Sequence, residues 1–387
     1  MPATYTPREM IAKLISFDTT SRNSNLELIE FIESYLGEYG ITATRFPNED
    51  GTKTNLLATI GPNVEGGIIL SGHTDVVPVD GQPWVTDPWT LTEKDGKLFG
   101  RGTCDMKSFS AIALAFVPEF VKRDLKAPIH LALSYDEEVG CTGVVSMIAG
   151  LKDAIPTPRC AIIGEPTNMK VVNANKGIRS FHTVVTGKES HSSLPANGAS
   201  AILFANELIN HLVELSKQMI DLGDSTGRFE PGFTTVSVGV IEGGTATNII
   251  PRECSFTWEY RPLPHVDQNC IIDEFQSHVD NIVLPRLLKQ SDGEGSIVTT
   301  DLVAVPGLHA GENAAAEELA LRLTGANHAE AVSYAAEAGM FQIAGVPSVI
   351  CGPGSITEAH KPNEFITIEQ VNKGVAFFEK LLDELSR

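Results

Sequence analysis

Ile68-Ile69-Leu70-Ser71-Gly72-His73-Thr74-Asp75 decides the fold: an apolar run of β-formers stops at a turn that carries an imidazole and a carboxylate. A run this short, bounded by a turn, reads as a strand buried on both faces, the kind found in parallel sheets covered by helices. The pattern recurs. Residues 55–60, 129–134 and 159–163 are further apolar, β-rich runs, and 108–121 has helical character between the run at 67–70 and that at 129–134. Strands alternating with helices predict an α/β domain with a mixed, mostly parallel sheet flanked by helices.

Toward the N-terminus, Thr6-Pro7-Arg8-Glu9 offers a capping hydroxyl, a proline at the first helical position and a glutamate that can close a capping box. Met10, Ile11, Leu14 and Ile15 follow at helical spacing. A second helix is expected over 26–39, with Gly40 suited to end it in the left-handed conformation. After about residue 176 the pattern changes. An alternating strand at 178–186, an amphipathic helix at 199–215, strands at 233–241 and 254–260, and a helix at 268–288 predict an α+β unit of ferredoxin-like type. From 293 the α/β pattern resumes, with a helix at 313–323, a strand at 348–351 and a closing helix at 368–385. The expected organisation is a discontinuous domain, 1–176 and 293–387, interrupted by a smaller one over 177–292.

The 387 residues carry 29 Lys and Arg against 49 Asp and Glu, a formal net charge of −20. Phosphate binding needs a basic stripe and no Lys/Arg-rich run exists, so neither nucleic acid nor an anionic membrane surface is expected as a partner. The six cysteines stand apart without a C-x-x-C pair. That spacing argues against a disulfide framework or a thiolate zinc site and for a reducing compartment. No apolar run approaches the roughly 20 residues of a membrane span, and the first residues lack the basic and apolar segments of a secretory signal. A cytoplasmic protein is expected.

In open α/β sheets ligands bind at the carboxyl ends of strands. Here those ends read Ser71-Gly-His73-Thr-Asp75, Tyr135-Asp136-Glu137-Glu138 and Gly164-Glu165-Pro-Thr167, joined by the turn holding Asp105 and by the stretch from Gly352 to His360. Imidazole and carboxylate without thiolate suit Zn²⁺ or a similar divalent ion. Each group alone has an ordinary explanation, since a single His or Asp in a turn usually bonds the local backbone. Five of them at successive strand ends require that explanation five separate times, which favours a metal site.

His73-Thr-Asp75-Val-Val-Pro, Gly102-Thr-Cys-Asp105-Met-Lys, Asp136-Glu137-Glu138, Gly164-Glu165-Pro-Thr and the late His360 span nearly the whole chain. As an ordered set they resemble the co-catalytic dizinc amidohydrolases and exopeptidases, the family of aminoacylase, succinyl-diaminopimelate desuccinylase, glutamate carboxypeptidase and peptidase T. The resemblance implies two Zn²⁺ per subunit, with Co²⁺ as a substitute. It implies that Asp105 bridges them, with His73 and Glu165 on one and Glu138 and His360 on the other. Asp75 would hold the His73 ring by its other nitrogen, and Glu137 would act as general base in hydrolysis of a small-molecule N-acyl amino acid. It further implies a cis peptide at Asp105–Met106, a homodimer built through the inserted domain, His191 acting in trans on the oxyanion, and Asn248 and Arg261 against the substrate carboxylate. Two alternatives stay open: another N-acyl amino acid hydrolase or exopeptidase of this family, and a non-catalytic binding protein on the same fold.

Overall fold

Ile68–His73, Ile129–Ser134, Cys160–Pro166 and Ser348–Gly352 are strands with every residue buried. Buried backbone must find partners on both sides, and these strands find them in each other. Ile129–Ser134 runs parallel to Ile68–His73, which runs parallel to Cys160–Pro166, which runs parallel to Ser348–Gly352. Antiparallel strands flank this centre, Thr54–Ile60 and Ala43–Pro47 on one side and Val172–Asn175 on the other, in a sheet of eight strands. Because the four central strands point one way, their carboxyl ends open along one edge of the sheet.

The computed structural model describes residues 2–387, and the chain divides into two units. The first runs to Ala174 and resumes over Leu308–Ala331 and Ala336–Arg387. Its sheet is covered by helices whose apolar stripes form one core. Pro7–Ile15 buries Met10, Ile11, Leu14 and Ile15 behind a complete capping box, and Ile368–Leu385 buries Phe377, Phe378 and Leu381. The helix expected over 108–121 is two helices, Lys107–Ala115 and Val117–Lys122. They part just ahead of Pro118, which has no N–H to continue the ladder and crowds the preceding turn.

The second unit holds Asn175–Gly307 with Val332–Ala335. Four antiparallel strands lie in the order Thr235–Gly243, Glu253–Arg261, Ile178–Thr186, Ser296–Val305. Phe181, Trp258 and Tyr260 stack on one face and pack with Phe275 and the helix Ala201–Leu222. This boundary corrects the expected return at 293. Ser296–Val305 pairs along its length with Ile178–Thr186, so the unit takes in that strand and the order becomes β-α-β-β-α-β. The helix expected over 268–288 is Cys270–His278 and Leu284–Gln290, joined by a π-helical segment at Val279–Val283 with Pro285 in the turn that follows. Among the described residues no helix is long and apolar enough to cross a membrane.

Candidate metal centre

The carboxyl edge of the first unit's sheet gathers the residues singled out above. His73 is the last residue of its strand, Glu165 lies near the end of Cys160–Pro166, and Glu137 and Glu138 follow Ile129–Ser134. Asp105 stands in the turn before Lys107–Ala115, and its peptide bond to Met106 is cis. His360 comes after the short turn Ile356–Glu358 with φ 62°.

Asp105 is the pivot. Its Oδ1 lies 3.0 Å from His73 Nε2 and its Oδ2 lies 3.2 Å from His360 Nε2. His73 Nε2 is also 3.7 Å from Glu165 Oε1, and His360 Nε2 is 3.0 Å from Glu138 Oε2. Two sets of ligand atoms fall within 4.8 Å of one another: those of His73, Asp105 and Glu138, and those of His73, Glu137 and Glu165.

The electrostatics ask for cations. Burial pushes the Glu137 and Glu165 carboxyls well above the usual carboxylate range, with neighbouring carboxylates adding to it. Glu138 is pushed up to about 7 by burial and by Asp105. Burial works against the imidazolium of His73, but Asp105, Glu165 and Glu137 outweigh it and the ring's pKa rises. His360 rises to about 10 through its hydrogen bonds with Asp105 and Glu138. Asp105 is also disfavoured as an anion by burial, yet the two imidazoles that bond it bring its pKa down. Protons on imidazole and carboxyl thus hold together a crowd of acids that divalent cations would hold better. Glu138 Oε1 is buried with no hydrogen-bond partner, as a carboxylate oxygen intended for a metal would be. The donor set fits two metal ions.

Asp75 departs from the expected geometry. His73 Nδ1 lies 2.8 Å from the Asp75 backbone carbonyl, whereas the Asp75 carboxylate stands 3.6 Å away. That carboxylate accepts instead from the amides of Glu137 at 3.2 Å and Glu138 at 3.3 Å and from Ser21 Oγ at 2.8 Å. It fastens the Glu137-Glu138 turn.

His191, Asn248 and Arg261 belong to the second unit. His191 and Asn248 are exposed neighbours: His191 pairs with Ile249 across a two-residue ladder, and Ser192 N–H donates to the Asn248 carbonyl at 3.0 Å. Arg261 ends the strand Glu253–Arg261 and its Nε donates to Glu259 at 3.1 Å.

Three buried charges near the site were not anticipated. Glu337 accepts from Ser71 Oγ at 3.2 Å beneath His73, and Arg101 and Glu364 form an ion pair of 2.6 Å beside Asp105. Arg101 stands four residues before Asp105, but nothing in the pattern around Arg101, Glu364 or Glu337 marks any of them as buried.

Imidazoles and carboxylates converging at the carboxyl edge of an α/β sheet suit a metal-dependent hydrolase. Residues 69–384 match peptidase family M20/M25/M40, and the chain belongs to that family. It is 37% identical over 372 residues to an acetylornithine deacetylase of Myxococcus xanthus, covering 94% of this chain and 93% of that one. An acetylornithine deacetylase of Pasteurella multocida is 33% identical, with 95% and 94% covered. Among solved structures, a family M20 metallo-carboxypeptidase from Sulfolobus solfataricus superposes with a TM-score of 0.76 at 16% identity, covering 99% of each chain.

Proposed function

We propose that this enzyme removes the acetyl group from N2-acetyl-L-ornithine, giving L-ornithine and acetate, a step of arginine biosynthesis. The observation that carries the reading is near-full-length similarity to two acetylornithine deacetylases, at 37% and 33% identity, in a chain whose donor set is complete. The stretches Asp80-Gly-Gln-Pro-Trp84, Asp136-Glu-Glu-Val-Gly-Cys141 and Gly352-Pro-Gly-Ser-Ile356 also look like that branch of the family.

His73, Asp105 and Glu165 would hold one Zn²⁺, and Asp105, Glu138 and His360 the other, with Co²⁺ as a substitute. Bound there, the two cations would polarise the amide carbonyl and acidify a water molecule. Glu137 is the general base. Beside the acids that would hold the metals, its carboxylate takes a proton from the attacking water and returns it to the departing amine. His191, reaching from the partner subunit of a homodimer, donates to the tetrahedral oxyanion. Arg261, with its planar fork, and Asn248 receive the substrate carboxylate. We place the enzyme in the cytoplasm.

A substrate panel with zinc- or cobalt-loaded protein tests this reading. N2-acetylornithine should be turned over faster than N-acetylmethionine or a dipeptide, and equal rates on the latter would end the assignment. Glu137→Gln should lower kcat by roughly 10²–10⁴-fold at unchanged metal content. Full activity in that variant would remove Glu137 from the role of base.

A further inference from the structure

Arg101 and Glu364 are 0% and 1% exposed. A buried ion pair is seldom more stabilising than apolar side chains of the same volume, so its value lies in what it holds. A three-stranded sheet brings the two together: Phe365 of Phe365–Thr367 stands opposite Phe99 of Lys97–Phe99, and Gly100 N–H donates to the Glu364 carbonyl at 3.1 Å.

From there a continuous chain of hydrogen bonds runs in both directions. Glu364 Oε1 accepts from the backbone N–H of Cys104 at 2.8 Å and of Asp105 at 3.0 Å, while Oε2 accepts from Arg101 Nη1 at 2.6 Å. Arg101 Nη2 donates to Gln82 Oε1 at 2.6 Å, and Gln82 Nε2 donates to the His360 carbonyl at 3.1 Å. Trp84 Nε1 also donates to Gln82 Oε1, at 3.0 Å, and the Trp84 ring lies 5.2 Å from the guanidinium. The ends of the chain are the amide of Asp105 and the carbonyl of His360, whose side chains meet at 3.2 Å.

We propose that Glu364, Arg101 and Gln82 are positioning residues that fix Asp105 and His360 relative to each other, so that the metal ion shared by those two ligands is held. The inference rests on the metal-centre reading given above. Two adjacent amides locked onto one carboxylate leave the Asp105 backbone little freedom, because charge-assisted hydrogen bonds are short and directional. His360, on an exposed turn, has no strand to hold it in place, and Gln82 supplies the tether. Groups that support metal ligands in this way typically matter by about 10–100-fold in affinity or activity.

Co²⁺ titration, followed by visible absorption and equilibrium dialysis, tests the role on wild type, Glu364→Gln, Gln82→Leu and Gln82→Glu. In the Gln82 variants one equivalent should bind as in wild type and the other about 10–100-fold more weakly, with kcat lowered more than KM is changed, whereas Glu364→Gln, which loosens the carboxylate common to both ions, should weaken both. Gln82→Glu is the discriminating variant. It can still accept from Arg101 but cannot donate to the His360 carbonyl, so it should behave like Gln82→Leu while the metal-free melting temperature stays at the wild-type value. Wild-type binding of both equivalents in Gln82→Leu and Gln82→Glu would overturn the proposal, whether or not Glu364→Gln folds. The titration needs no substrate. A wild type that takes up two equivalents without hydrolysing N2-acetylornithine would end the substrate reading alone, and one that binds fewer than two would overturn the two-metal reading and this proposal with it.

Discussion

His73 and His360 face opposite oxygens of one carboxylate at nearly equal distances, 3.0 and 3.2 Å, yet they are held by different means. His73 ends a fully buried strand, its side chain is 1% exposed, and its second nitrogen is bonded to the Asp75 carbonyl. His360 sits on a turn in the left-handed region, and its side chain is 54% exposed. The sheet places the first imidazole as part of folding, and a loop delivers the second. Both imidazoles face buried carboxylates, Asp105 in common and Glu165 or Glu138 beside it. Only His73 is itself buried, so its loss also opens a hole in the core, while water can reach the acids that His360 leaves.

The sharpest way to break that contrast is to remove each imidazole in turn. His73→Ala leaves Asp105 and Glu165, both 5% exposed, without their buried partner, and should destabilise the metal-free protein by about 3–5 kcal/mol as well as abolish tight metal binding. His360→Ala should lose one equivalent of metal and lower the stability of the metal-free protein by less than His73→Ala does, because its side chain is 54% exposed and solvent screens the charges it leaves. Metal analysis after dialysis, together with urea unfolding of the metal-free proteins, reads both effects. Equal destabilisation by the two variants would show that depth does not divide the site.

Glu337 sharpens the same point one layer below His73. Burial pushes its carboxyl up from 4.5 to about 7. The folded state therefore binds this proton more tightly than the unfolded chain does. The stabilisation is complete below about pH 4.5 and is lost as pH rises through about 7. Glu337→Gln, which cannot ionise, should gain on wild type over that interval by roughly 3 kcal/mol. Urea unfolding of the metal-free proteins at pH 4.5 and pH 8 measures it, and a gap that does not change between the two would show that Glu337 is solvated or paired at high pH.

What could be read from the sequence follows the same depth. Ile129–Ser134 begins and ends where its apolar run does, and so does the closing helix Ile368–Leu385. Continuous burial writes itself into composition. The edge strand Ser296–Val305 exposes much of its length and carries Thr299, Thr300 and Asp301, so its alternation is too weak to distinguish it from a loop. The clustered acids and imidazoles were legible because such groups at the ends of apolar runs are conspicuous. Arg101, Glu364 and Glu337 leave no such trace: ionisable residues are expected at the surface, and only the tertiary structure shows that these are buried. The two-way attachment of Asp75 was hidden for another reason, since sequence names the residue but not which of its oxygens does the bonding.

Asp75 joins the deep and shallow halves. Its carbonyl holds the His73 ring, and its carboxylate holds the amides of Glu137 and Glu138, the latter a neighbour of His360. Asp75→Asn separates the two attachments. The backbone carbonyl is untouched, so binding of metal at His73 should persist at wild-type affinity. The side-chain amide can accept through one oxygen only, so one of the two amides or Ser21 Oγ loses its partner and the Glu137-Glu138 turn loosens. The expected result is a 10–100-fold fall in kcat, about 1–3 kcal/mol, with the His73 metal retained. Loss of that metal instead would mean that the carboxylate, 3.6 Å away in this structure, is what orients the imidazole, and that the deep half depends on the side chain rather than on the strand.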